Sequence, residues 1–310
     1  MTVGATPTLA GTSPLARVLW IFSMVRYRFF LYAGLLPYGL GAAWAYGSTG
    51  TLDGPIFWSG LSGVVCAVIG VETFNEYFDS RMGTDRVFNP ADLPPMSSLV
   101  MWIGIAAFAA AFAVGVYLAY RGGWPILLFA VLGGMAAIFY VAPPIRWAYR
   151  GLGELVIALS YGPWMVLGSV YLYTGKLPWG AFWASLVPGF LIMALAVVNA
   201  IPDFHQDRLV GKRNLCVRVG RRNAVWLYLG LASAGLLVVP LGVAARVFPP
   251  ACLAALLAVP LLAASARAAV ATYEIPRLFV PAIRNIVTCY AVAVTLFTIG
   301  LLAAAWWPVG

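Results

Sequence analysis

Charge is scarce in this chain. Of 310 residues only 10 are acidic and one is histidine, and charged residues total 9%. A soluble domain carries about 25% charged residues, so this composition excludes an ordinary water-soluble fold. The lone histidine, His205, excludes a metal centre built on imidazoles. Four cysteines, Cys66, Cys216, Cys252 and Cys289, show no CxxC or similar spacing. Free thiols are expected, not a disulfide framework or a zinc site. The apolar stretches lack the period-two alternation of a membrane barrel, so strands are not expected either.

Hydrocarbon is what the chain has in abundance, with hydrophobic residues at 63%. Apolar runs close to the ~20 residues needed to cross a bilayer fall at roughly 27–47, 55–78, 97–120, 124–142, 152–173, 180–202, 223–243, 249–268 and 284–307. The expected fold is an all-α integral membrane protein of about nine transmembrane helices. Residues 1–16, rich in Thr, Gly and Pro, read as a flexible N-terminal tail, and 17–310 as a single polytopic domain.

The net charge of +9 could suggest a nucleic-acid partner, but its distribution argues for topology. With the N-terminus placed in the cytoplasm, only Arg121, Lys176 and Arg246 of the 19 basic residues fall on the far side. The other 16 face the cytoplasm, a strong positive-inside bias. The expectation is a multi-pass protein of the cell (inner or plasma) membrane, in contact with membrane lipid and with no nucleic acid.

Six of the ten acids crowd into or beside two short segments. The first reads Asn75-Glu76-Tyr77-Phe78-Asp79, with Glu72 before it and Asp85 after it. The second reads Asn199-Ala200-Ile201-Pro202-Asp203, followed by Asp207. Acids at the ends of apolar spans are costly and mark function. Glu72, Asn75, Glu76 and Asp79 are spaced i, i+3, i+4, i+7 and share one helix face. That face must look into a cavity, not into lipid. Met82-Gly83-Thr84 ends the helix and lets Asp85 fold back. Asn199, Asp203 and Asp207 follow as i, i+4, i+8, with Pro202 able to kink the helix end.

Mg²⁺ prefers carboxylate oxygens, retained waters and substrate phosphates to an all-protein cage. Two carboxylate-rich helix ends facing each other therefore point to metal held against a diphosphate. Asp79 and Asp203 are the principal candidate ligands, and Asn75, Asp85, Asn199 and Asp207 complete the shell. With its charge neutralised the diphosphate departs, leaving cationic character on an allylic carbon. An electron-rich, lipophilic acceptor attacks that carbon, and Glu72 or Glu76 takes the released proton. Arg81, Arg146, Lys212 and Arg213 lie on the same side, where cations suit phosphate oxygens. A terpene cyclase or a non-aromatic prenyl transfer would use the same diphosphate site. An ion-coupled transporter would use the acids as a pathway, but their helix-end position and the basic loop beside them favour a bound anion.

Asn75-Glu-Tyr-Phe-Asp79 and Asp203-Phe-His-Gln-Asp207 resemble the two aspartate-rich motifs of the UbiA superfamily of membrane prenyltransferases. Ala142-Pro-Pro-Ile-Arg146, Tyr149-Arg-Gly-Leu-Gly-Glu154 and the basic stretch Val210–Gly220 are similar to its supporting segments, most of all to the menaquinone branch, whose enzymes prenylate 1,4-dihydroxy-2-naphthoate. The resemblance covers roughly residues 20–305. It implies nine helices around a central cavity, a cytoplasmic cap carrying the motifs, and Mg²⁺-dependent transfer from a polyprenyl diphosphate. It implies Asn75, Asp79, Asp203 and Asp207 as metal and diphosphate ligands, with Arg146, Lys212 and Arg26 holding the diphosphate. Two departures stand out: Glu76 where the family has Asp, and a third acid, Asp85, two residues late.

Overall fold

The structure, a computed structural model, describes residues 28–82 and 96–306, without the side chains of 28–32 and 304–306. The tail 1–16, Arg26 and Asp85 lie outside the described residues. Within hydrocarbon every backbone N–H and C=O must be satisfied inside the segment, which leaves the helix as the structure for long apolar runs. Each of the nine apolar runs coincides with a helix: α1 (Arg28–Thr49), α2 (Gly54–Met82), α3 (Ser98–Gly122), α4 (Pro125–Ile138), α5 (Gly153–Thr174), α6 (Trp179–Asn199), then α9 (Arg221–Ala244), α10 (Pro250–Thr272) and α11 (Pro276–Trp306). Two short helices, α7 (Phe204–Leu209) and α8 (Leu215–Val219), intervene between α6 and α9. No strand occurs among the described residues.

Seven helices among the described residues, all but α1 and the 14-residue α4 of the long ones, are long and apolar enough to cross a membrane. The protein is a multi-pass membrane protein. Large aromatics mark the rims: Trp58, Trp124, Trp179 and Trp226 are all exposed near helix ends, where indole favours the membrane–water interface.

Burial is uneven, and that identifies the axle of the bundle. In α6, 67% of the most apolar window is buried, against 17% in α3. α9, α11 and both halves of α5 pack around α6, while α2 and α3 pair with each other at one side. All four thiols are free, with Cys216, Cys252 and Cys289 buried.

α5 is interrupted once. Ser160–Trp164 form a π-helical turn that contains Pro163. Proline has no N–H to give to an α-helical ladder, and the wider turn accommodates it. Gly162 in this turn lies against α6 so closely that a Cβ would come within 2.7 Å of Gly189 Cα and 2.9 Å of the Ser185 carbonyl. Backbone on both sides cannot yield. Gly162→Val should destabilise the protein by about 1–3 kcal/mol through overpacking, read as a lower thermal unfolding midpoint of the detergent-purified protein.

Candidate active site

The last turns of α2 carry the first acidic cluster. Glu72 is buried, and Asn75, Glu76 and Asp79 are half-buried. The second cluster differs from the expected continuous stripe. α6 stops at Asn199, residues 200–203 form a turn, and Asp203 precedes α7. Asn199, Asp203 and Asp207 thus do not share one helix face. The turn re-aims the chain, and the Asp207 N–H donates to the Asp203 carbonyl at 2.8 Å. Asp207 ends only 2% exposed.

Two neighbours hold the Asp207 carboxylate. Asn214 donates through Nδ2 to Oδ2 at 2.6 Å, and Lys212 Nζ lies 3.5 Å from Oδ1. Asn214 is at the same time the N-cap of α8, its Oδ1 accepting the Val217 N–H at 2.8 Å. Next to it, the Leu215 N–H donates at 2.8 Å to Oε1 of the buried Glu154, in the first turn of α5.

The segment between α4 and α5 closes over these residues. It holds a cis Pro143–Pro144 bond, Arg146 at φ 54° and a 3₁₀ turn at Trp147–Tyr149. Arg218 donates to the carbonyls of Arg150 at 2.6 Å and Arg213 at 2.9 Å. Gly151, at φ +73°, passes so close to Arg218 and the Arg213 carbonyl that a Cβ has no room.

This closure brings Tyr149 between the two acidic clusters. Its hydroxyl donates to Met82 Sδ at 3.0 Å. Burial pushes its pKa up to about 12; Asp79 and Asp207 push the same way, while Lys212 and Arg146 oppose them. One phenol therefore feels Asp79 from α2 together with Asp207 and Lys212 from beyond α6. Tyr140 feels Asp79, Asp207 and Lys212 as well. Asp203 belongs to the same field. Burial pushes the Cys216 thiol up to about 12, with Asp207, Glu154 and Asp203 adding to the shift and Arg221 opposing it.

A cavity opens at this point between α2, α4 and α5. Asn75 and Tyr140 form its polar end, Ser160 and Tyr161 lie on the α5 wall, and the rest is apolar, including Val64, Val68, Val71, Ala137 and Ile157.

The cationic residues divide. Lys212 is largely buried against Asp207. Arg146 is half-buried, with a buried Nε that has no hydrogen-bond partner and its guanidinium 5.7 Å from the Tyr149 ring. Arg81 turns away. It stacks 3.7 Å over Tyr77 and donates to the Met96 carbonyl at 2.9 Å, tying the end of α2 to the approach to α3. Arg213 is exposed.

Among the described residues no three His, Cys, Asp or Glu side chains gather into a metal-binding group. The donor set nonetheless fits Mg²⁺, which takes one or two carboxylates and completes its octahedron with water and phosphate oxygens. Asn75 Oδ1, buried without a hydrogen-bond partner, is an oxygen donor of the required hardness facing that space.

Residues 34–279 match the UbiA prenyltransferase family. The chain belongs to that family. As a UbiA-family prenyltransferase it is 25% identical over 224 residues to the 2-carboxy-1,4-naphthoquinone phytyltransferase of Synechocystis sp., covering 70% of this chain and 71% of that protein. It is 28% identical over 226 residues to the 1,4-dihydroxy-2-naphthoate octaprenyltransferase of Mycobacterium tuberculosis, covering 69% and 75%. Its fold is similar to that of a UbiA homologue from Archaeoglobus fulgidus bound to GPP and Mg²⁺, with a TM-score of 0.58 at 17% identity, covering 90% of this chain and 96% of that one.

Sequence reading assigned no role to Tyr140, Tyr149, Glu154 or Asn214. Glu154 had a signal, as one of ten acids, and among the described residues it is the only one outside the two clusters that is buried. Asn214 had a fainter one, an amide residue at a helix start. The prediction concerns that cap. Asn214→Ala should lower stability by about 0.5–2 kcal/mol for the cap and by about 1.5–3 kcal/mol more for the donor lost to Asp207. Asn214→Ser, which keeps a capping oxygen but cannot reach Asp207 in the same way, should recover only the first part. The thermal midpoints of the purified variants check it.

Proposed function

We propose that this prenyltransferase catalyses the Mg²⁺-dependent transfer of a prenyl group from a polyprenyl diphosphate to an aromatic acceptor of the 1,4-dihydroxy-2-naphthoate type, in quinone-type lipid synthesis. The observation that carries this reading is that Tyr140, beside Asn75 at the polar end of an apolar cavity, feels Lys212, Asp79 and Asp207 together. The names of the Synechocystis and Mycobacterium relatives support the acceptor class, and the GPP and Mg²⁺ in the Archaeoglobus homologue support the donor and the metal. The basic residues argue for a cell-membrane location with the site and the N-terminus on the cytoplasmic side.

In this reading Asn75, Asp79, Asp203 and Asp207 hold metal, with Asp85 and Asn199 beside them. A bound Mg²⁺ neutralises the diphosphate and makes it a better leaving group. Lys212 and Arg146 bind the diphosphate oxygens, with Arg26 added from the first helix; Arg213 and Arg81, both exposed, form the outer basic rim. Asn214 keeps the Asp207 carboxylate turned toward Lys212. The allylic C–O bond breaks with its electron pair leaving on the diphosphate. The apolar cavity wall holds the prenyl chain and excludes water from the cationic carbon. The π-electrons of the acceptor form the new C–C bond, and the attacked carbon sheds a proton or carbon dioxide to restore the aromatic ring. Glu72 or Glu76 receives the proton, from that carbon or from an acceptor hydroxyl.

Detergent-purified protein given geranylgeranyl diphosphate and Mg²⁺ should release pyrophosphate faster when 1,4-dihydroxy-2-naphthoate is added, and not at all with EDTA. Asp79→Ala and Asp203→Ala should each lose roughly 100-fold or more of that rate while keeping the wild-type gel-filtration profile. Metal-dependent release indifferent to the naphthoate would sink the acceptor assignment and favour a cyclase. No release from any prenyl diphosphate would sink the function itself.

A further inference from the structure

The α4 wall of the cavity is built from Gly133, Ala136 and Ala137, with Tyr140 just beyond the helix end. The spacing i, i+3, i+4 sets the three helical residues on one face, and Tyr140 lines the same cavity from the turn that follows. Gly133 is the member farthest from the polar end, and no packing neighbour requires a glycine there. A Cβ built on it meets nothing within 4 Å, and its φ is not in the left-handed region. In contrast, a Cβ on Gly162 or Gly70 would collide with a neighbouring helix. Close packing therefore explains those two glycines and does not explain Gly133. The backbone at 133 would accept any residue, and glycine in a helix interior weakens the helix. What the missing side chain leaves is open space along the cavity wall.

That space has a length. Gly133 precedes the helix end at Ile138 by five residues, roughly 7.5 Å at a rise of 1.5 Å each, and Tyr140 lies two turn residues further on, roughly 10 Å away in all. A chain of three backbone bonds extends by about 3.5 Å, so the four chain bonds of an isoprene unit extend by about 4.5 Å on the same geometry. With the diphosphate among the residues around Asn75 and Tyr140, position 133 lies beside the end of roughly the second isoprene unit. We infer that Gly133 determines which prenyl chain lengths this enzyme accepts, its absent side chain being the passage by which a donor longer than two isoprene units extends along the cavity. The inference rests on the proposed prenyl-diphosphate function and specifies its donor.

Gly134 provides the internal control. It too has open space at its Cβ, but it is not among the residues that line the cavity. A side chain there leaves α4 about 100° away from the one at 133.

The test is kcat/KM of the full-length, detergent-purified protein for geranyl and geranylgeranyl diphosphate, with Mg²⁺ and the naphthoate acceptor, together with equilibrium binding of each labelled donor. The geranylgeranyl-to-geranyl ratio should fall at least about tenfold in Gly133→Leu and further in Gly133→Phe, with the loss seen in binding of the longer donor. Gly134→Leu should hold the ratio within about twofold of wild type. Gly133→Ala, which adds one methyl and raises helix propensity, should move the ratio the same way by a smaller factor and keeps the test decisive if the larger variants do not fold. An unchanged ratio in the Gly133 variants, or an equal fall in Gly134→Leu, overturns the inference and leaves the diphosphate site standing. Wild-type protein that neither binds nor turns over either donor overturns both.

Discussion

A carboxylate at the rim of a hydrocarbon bundle has lost much of its water, and the loss costs several kcal/mol unless a donor or a cation replaces it. Much of the irregular structure in this protein answers that demand. Asp207 is 2% exposed and Glu154 3%. The first is met by Asn214 and Lys212, the second by the Leu215 N–H. For these partners to arrive, the chain beyond α6 must curl back over itself, which a single straight helix could not do. It breaks instead into a turn at Pro202 and the two short helices α7 and α8. The segment before α5 then has to meet this curl, and Arg218 on the Arg150 carbonyl with Glu154 on Leu215 fastens the two together.

The same demand bears on chemistry. Asp79 and Asp207 surround Tyr149 together with Lys212 and Arg146, and Asp203, Asp207 and Glu154 surround Cys216 together with Arg221, so that four carboxyl groups stand against three cations. In a setting of reduced dielectric such an excess attracts a divalent cation strongly, and a cation so placed attracts phosphate. Beyond the Asn75 amide, the neighbouring cavity offers mainly hydrocarbon and a few hydroxyls. Charge is managed on one side of a boundary, and in the proposed reaction the other side would shield a water-sensitive carbon.

Much of this was legible in the sequence. Membrane crossing demands length and apolarity together, so every apolar run marked a helix. α4 is shorter than its run, because the Pro143–Pro144 pair forbids helix in the residues before it. The acids stood out because there are so few of them. Their spacing misled at one point, since a period of four continues on paper through a helix end, and only Pro202 hinted that Asp203 and Asp207 follow a turn. Arg81 was expected at the diphosphate, but the nearest π-face to it is Tyr77 on its own helix, one turn back. The contacts that assemble the site join residues 61 and 67 positions apart, Glu154 with Leu215 and Tyr149 with Met82. No local pattern announces a partner at that distance.

The π turn in α5 has a consequence for how that span serves its neighbours. An α-helix offers each partner a fixed stripe, and a helix that must touch different partners above and below would ordinarily need a break. By taking in one residue beyond its regular ladder, α5 rotates its second half relative to its first. The half before the turn packs on α6, and the half after it keeps contact with α6 while packing chiefly on α1 and also on α4. One membrane crossing thereby behaves as two rods joined by a coupling, both resting on the central axle and the second reaching out to α1 and α4 as well. A one-residue deletion within Ser160–Trp164 would leave a continuous helix and still detach one rod from its neighbours, so the extra residue is a phase-setting element whose value lies in being surplus.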